Sequence, residues 1–128
     1  MRILIGLLAS LLLVSPAWAA SNILTWTDNS TNETTFEVWA KSVPTPAGIP
    51  PPPPNCATDP SPYALLTTVG VNIVTFTHTG LSEGSAWCYE VRASNPIGPS
   101  AFSNVAGRSI PFTAVNGAPT GLGVTGGP

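Results

Sequence analysis

Chemistry in this sequence rests on few residues, and the two cysteines come first. Cys56 and Cys88 are its only thiols, and a pair in an exported chain most simply forms one disulfide. No CxxC pair is present for redox exchange, and no second set of ligands for a metal. His78 is the single histidine. No cysteine or carboxylate stands at ligand spacing from it, so it reads as a polar residue near a strand end. Gly80-Leu81-Ser82-Glu83-Gly84 spells GxSxG but reads as a turn between two strands; HExxH and glycine-rich phosphate motifs are absent, as are a convincing carboxylate pair and the Arg-Gly-Asp adhesion tripeptide. The expectation is a protein that is not an enzyme and uses no cofactor and no metal. Trp39 is the remaining candidate for ligand contact: an outward indole can stack on a sugar ring, or lie under a cover of prolines. Asn29-Ser-Thr and Asn32-Glu-Thr fit the N-glycosylation acceptor pattern.

The elements that must position these residues are short strands. Fifteen prolines and twelve glycines argue against long helices. Apolar and polar residues alternate over residues 23–27, 34–42, 63–69, 73–79, 87–95 and 101–109, and turn-forming clusters separate the runs. This punctuation predicts a β-sandwich. Residues 43–62 carry nine prolines, five of them consecutive at 50–54, and should run as polyproline II over the surface. Cys88 has the parity opposite to Trp87, Tyr89 and Val91, so it should face outward from its sheet. Cys56 sits in the proline-rich insertion, which can therefore fold over that outer face and be stapled there, a constraint of ~3–4 kcal/mol by chain entropy. Trp39 has the same outward parity on a neighbouring strand, and the proline run is expected to pack on it. A role for residues 43–54 as a PxxP-like ligand competes with the spacer reading.

Residues 1–19 combine one arginine, the apolar run 3–14 and small residues at Ala17 and Ala19. They read as a secretory signal peptide cleaved after Ala19, and the run falls short of the ~18–20 apolar residues that span a bilayer. The expected location is secreted or extracellular, at the cell surface or in the periplasm, with no membrane contact in the mature form. Residues 20–128 hold three basic side chains (Lys41, Arg92, Arg108) against six acidic ones (Asp28, Glu33, Glu37, Asp59, Glu83, Glu90), so the net charge is −3. Only 8% of the chain is charged, against about 25% in an ordinary soluble domain. Three dispersed cations give no footprint for nucleic acid or anionic lipid.

Residues 24–33, Leu-Thr-Trp-Thr-Asp-Asn-Ser-Thr-Asn-Glu, resemble the second strand and following loop of bacterial secreted fibronectin type III domains. Residues 80–95, from Gly-Leu-Ser-Glu-Gly through Trp87-Cys-Tyr-Glu-Val-Arg to Asn95, and 98–105, Gly-Pro-Ser-Ala-Phe-Ser-Asn-Val, resemble its last two strands and their loop. The resemblance covers about residues 23–109. It implies an all-β, Ig-like sandwich with strands B (23–27), C (34–42), C′ (63–69), E (73–79), F (87–95) and G (101–109). Two departures stand out. The family's corner tyrosine is replaced by Trp87, whose indole donates but does not accept, so that corner should be rebuilt. The family's first strand, A, is missing: only Ala20, Ser21 and Asn22 separate the leader from Ile23. Residues 116–125, Asn-Gly-Ala-Pro-Thr-Gly-Leu-Gly-Val-Thr, resemble such an A strand, with its leading proline (Pro119) and alternating Leu122 and Val124. The expected organisation is a leader (1–19), a sandwich lacking strand A (20–109) and a linker with an A-like strand (110–128).

Strand B would then be a sheet edge with unpaired backbone at Ile23, Leu24, Thr25 and Trp26, beside an uncovered stripe of core. Placing Leu122 and Val124 there contributes up to ~3–6 kcal/mol of burial, before the entropy of ordering the tail. Three outcomes are open: return of the tail into its own domain, donation to a neighbouring molecule as in strand-complemented fibres, or a tail with no role. The leading expectation is a secreted structural or adhesive subunit, self-assembling through residues 119–125. The alternative is a monomeric module binding glycan or protein through Trp39 or the loops 29–33 and 95–100.

Overall fold

The alternating segments form seven strands in the computed structural model, which describes residues 20–113 and 118–127. The expected leader, residues 1–19, lies outside the described residues. The strands are β1 (Ala20–Thr25), β2 (Thr35–Val43), β3 (Ala64–Gly70), β4 (Thr75–Leu81), β5 (Ala86–Asn95), β6 (Gly98–Pro99) and β7 (Ala106–Ser109). All pairing is antiparallel, and no helix occurs among the described residues. β1 pairs with β4 in one sheet. In the other, β3, β2 and β5 lie side by side, and β6 and β7 share the far edge of β5. Phe36, Val38 and Val91 from the larger sheet pack against Leu24, Trp26 and Phe76 from the smaller one. This is an all-β chain built as a β-sandwich.

β1 occupies Ala20–Thr25 rather than 23–27, because Ala20 and Asn22 already pair with Leu81 and His78, and two further boundaries differ from expectation for visible reasons. β4 begins at Thr75 rather than at residue 73, because the preceding residues close a turn: the Ile73 N–H donates to the Gly70 carbonyl at 3.2 Å, with Asn72 at φ 63°. The last strand was expected over 101–109, but only Ala106–Ser109 pairs regularly. Before it, the Ser100 N–H donates to the Ala93 carbonyl and the Ser103 N–H to the Val91 carbonyl, each at 2.8 Å. Ser100 and Ser103 hydroxyls in turn accept from the Ala93 and Val91 N–H groups at 3.0 Å. Three residues on this side answer two on β5, so each step is a bulge whose missing backbone acceptor is replaced by a serine.

The insertion covers the outer face of the larger sheet, as the parity of Cys88 required. Lys41, Cys88 and Gly107 are direct neighbours across β2, β5 and β7. Cys56 joins Cys88 in a disulfide, and a second small core forms there from Val43, Cys56, Ala86 and Cys88 with Tyr63 beside it. Gly107 is needed for this approach: a Cβ there would run into Cys56 Sγ and Pro54. Lys41 is buried and held by the cover itself, donating to the carbonyls of Asp59 at 2.8 Å and Ser61 at 3.0 Å. Its ammonium also pairs with the Asp59 carboxylate at 3.3 Å and lies over the Tyr63 ring. Ser109 donates to the Pro52 carbonyl at 2.6 Å.

The prolines do not find Trp39 as expected. The disulfide draws the insertion to the Lys41–Cys88–Gly107 row, while Trp39 stands one outward position along, opposite Glu90. Its neighbours are Phe102, edge-on at 5.7 Å, and the Arg92 guanidinium at 5.1 Å.

Beyond β7 the chain is fastened to the β4–β5 turn. The Ile110 N–H donates to the Ser85 carbonyl at 2.7 Å, and the Gly84 N–H donates to the Ile110 carbonyl at 2.9 Å. Ile110 is fully buried. The Phe112 ring lies directly over Gly84 where a side chain would otherwise be, and both the N–H and the hydroxyl of Thr113 donate to the Glu83 carboxylate. Residues 118–127 carry no strand, with Leu122 94% and Val124 90% exposed. The expected A-like strand over 119–125 is therefore not formed within the single chain.

Candidate functional site

Among the described residues β1 has a partner on one side only. Its register with β4 pairs Leu24 with Phe76 and Thr25 with Thr75, and the Trp26 N–H continues the ladder to the Val74 carbonyl at 3.0 Å. In an antiparallel ladder bonded and non-bonded pairs alternate. Leu24 and Trp26 thus direct their backbone groups to β4, whereas Ile23 and Thr25 direct theirs to the open side. The four residues expected as an acceptor edge divide accordingly. Ile23 and Thr25 offer hydrogen bonds; Leu24 and Trp26 turn their side chains toward the core.

Beside this edge runs a groove of about 850 Å3, floored by Tyr89 and Val91 of β5 and walled by Ser103, Asn104 and Arg108. Trp26 lines it, stacked at 5.7 Å on Phe36. The Trp26 indole nitrogen is buried and has no acceptor among the described residues. A buried donor without a partner carries an unrecovered desolvation cost, ordinarily about 1–3 kcal/mol.

One end of the groove is closed by a polar cluster that sequence reasoning missed. Asn22, almost fully buried, donates to the Tyr89 hydroxyl at 2.8 Å. Arg108 reaches across from β7, donating to the Asn22 side-chain oxygen at 2.9 Å and to the Ser21 carbonyl at 3.2 Å. His78 Nδ1 lies 2.7 Å from the same Tyr89 hydroxyl, and its ring meets Trp87 edge-on at 4.8 Å. Burial pushes His78 below its ordinary value. Burial likewise pushes the Tyr89 phenol up. Trp87 donates to the Ser85 hydroxyl at 3.2 Å. The one available signal was parity: His78 and Tyr89 both fall on inward positions, but nothing in the sequence joined them to Asn22 or Arg108. The other end of the groove, at Thr27 and Asn29, carries no such bridge.

The remaining candidates occupy separate places. Trp39 donates its indole N–H to Glu37 at 2.9 Å, and Arg92 pairs with the same carboxylate oxygen at 2.9 Å. Burial works to raise Glu37, but the Arg92 and Trp39 hydrogen bonds hold it below the usual carboxylate range. Arg92 is itself stacked between Trp39 and Phe102, 4.5 Å from the latter. Asn29 and Asn32 are exposed. Among the described residues no cluster of histidine, cysteine and carboxylate groups could hold a metal, and no helix is long and apolar enough to cross a membrane.

No protein-family model matches the chain, and no curated protein matches it. Among solved structures, one described as "Myokine structure" aligns with 72% of this chain and 83% of its own length, at 14% identity and a TM-score of 0.49. A likeness of that size is reported as a similarity and carries no argument about function.

Proposed function

We propose that this chain is a secreted, non-enzymatic subunit of the fibronectin type III kind that assembles head to tail. Residues 119–125 of one copy add as a strand to β1 of the next. The observation that carries this reading is an unpaired β1 edge beside a strand-sized groove, in a chain whose own alternating apolar segment stands in water. The edge offers Ile23 and Thr25 for main-chain bonds, and an added strand brings backbone carbonyls of the type Trp26 lacks. Leu122 and Val124, spaced to face one side of a strand, would supply the apolar contact with the core stripe. The disulfide suits export, since such bonds persist in oxidising compartments. Low charge suits a surface that meets copies of itself.

Deletion of residues 116–128 tests this directly. The shortened protein should sediment as a monomer under conditions where the full chain forms larger species. Equal assembly with and without the tail would refute strand donation. A glycan-binding role for Trp39 finds no comparable support, because Glu37, Arg92 and Phe102 already engage its ring and its N–H.

A further inference from the structure

We infer that the contact of Phe112 and Thr113 with the β4–β5 turn is a latch that directs the tail to a second copy of the chain and away from its own β1. This rests on the strand-donation reading and adds what selects the partner. The argument is one of direction and length. β1 starts at the pole where Ala20 pairs with Leu81, and runs away from it. β7 ends at the same pole, with Ser109 opposite Ala86, and the latch on Glu83 and Gly84 fixes Thr113 there. The Arg108 bridge to Ser21 and Asn22 closes the groove at this pole. The tail is therefore released at the closed end, and the unbridged end, by Thr27 and Asn29, is at the opposite pole.

An antiparallel strand on β1 must begin near Thr27. From Ala20 to Thr27 the strand path rises about 24 Å at ~3.4 Å per residue. Residues 114–119, fully stretched, cover at most about 20–22 Å, and reversing direction at the far pole uses a further ~2 residues. Without the latch the free tether would start at residue 111, after the buried Ile110, and cover about 30–32 Å to Pro119, just enough to return. With it, the tail cannot reach its own open end. A parallel return would have to enter at the closed end and displace Arg108 from Ser21 and Asn22. A second molecule placed end to end meets neither obstacle. Its open groove faces the released tail, and the contact, being heterologous, repeats into a polar fibre.

The test lengthens the tether while leaving the latch, groove and tail in place. A Gly/Ser insert of ~12 residues between Thr113 and Ala118 gives the tail a reach well beyond the far pole. Once cis docking is possible, its effective concentration is in the millimolar range. At micromolar protein the insert variant should therefore become monomeric, with residues 119–125 protected from hydrogen exchange. Phe112→Ala combined with Glu83→Ala, which frees the natural tether, should shift the population the same way. If both variants assemble as the wild type does, while deletion of 116–128 still abolishes assembly, the latch is overturned and strand donation stands. If the deletion leaves assembly unchanged, donation itself fails. A monomeric wild type with residues 119–125 protected would overturn the latch, because the tail would then be docking in cis. A monomeric wild type with those residues unprotected would overturn donation.

Discussion

Tyr89 organises the least expected part of this molecule. Its hydroxyl accepts from Asn22 and shares a hydrogen bond with His78, tying β1, β4 and β5 together at the closed end of the groove. Burial disfavours the charged form of the His78 ring and keeps its proton affinity below the ordinary value. The unfolded chain therefore binds this proton first. The stability contributed by the cluster is complete above the unfolded pKa of about 6.5 and is lost as pH falls through the lower folded value. Chemical denaturation of wild type between pH 7 and 5 should show falling stability, and His78→Gln should flatten that limb. An unaltered slope in the variant would assign the effect elsewhere. Alternation put His78 near a strand end, but β4 runs on to Leu81 and His78 stands in mid-strand, opposite Asn22. Its partners Asn22 and Arg108 were not legible, because both lie far from it in sequence and meet it only across the two sheets.

Edges are handled in two different ways in this sandwich. Along β5, the segment before β7 is bulged twice and its ladder is completed by Ser100 and Ser103, which spoils it as a template for another strand. β1 has no such protection on its open side. Because the Thr25 N–H faces that side, Thr25→Pro removes an edge donor without removing a bond to β4. The variant should keep the fold, with stability within about 0.5–1 kcal/mol of wild type, yet lose assembly. Polymers that form normally from Thr25→Pro would show that β1 is not the acceptor. The proline-rich insertion was legible in outline from two facts, the outward parity of Cys88 and the company kept by Cys56. Its landing place was not: the position of the disulfide along β5 sends it over Gly107 and leaves Trp39 to Phe102 and Arg92.

For the whole molecule, strand donation as proposed, from a tail released at one pole to a groove open at the other, would give a fibre with unlike ends. One end presents an empty β1 edge and the other an undocked tail. A synthetic peptide of residues 118–125, added in excess, should occupy empty grooves and shorten the assemblies in a dose-dependent way. A peptide with Leu122 and Val124 both changed to Ser should not, since it keeps the backbone but loses the apolar contacts. Equal effects of the two peptides would mean that the grooves do not read the apolar side chains.

The sequence by itself determined the class of this protein: strand periodicity with frequent glycine and proline permits little but a β-sandwich, and two cysteines of known parity determined which face the insertion covers. The resemblance to fibronectin type III domains also marked residues 119–125 as A-like and the first strand as short of a partner. Tertiary structure alone decided where the tail leaves the body, which end of the groove is closed, and that Trp39 is flanked by Phe102 and Arg92. Those depend on contacts such as Phe112 on Gly84 and Arg108 on Asn22, between residues whose distance in sequence carries no periodic signal. Their effect is geometric: they set the pole at which the tail leaves the body and the end at which the groove is bridged, on which the proposed donation to a neighbour depends.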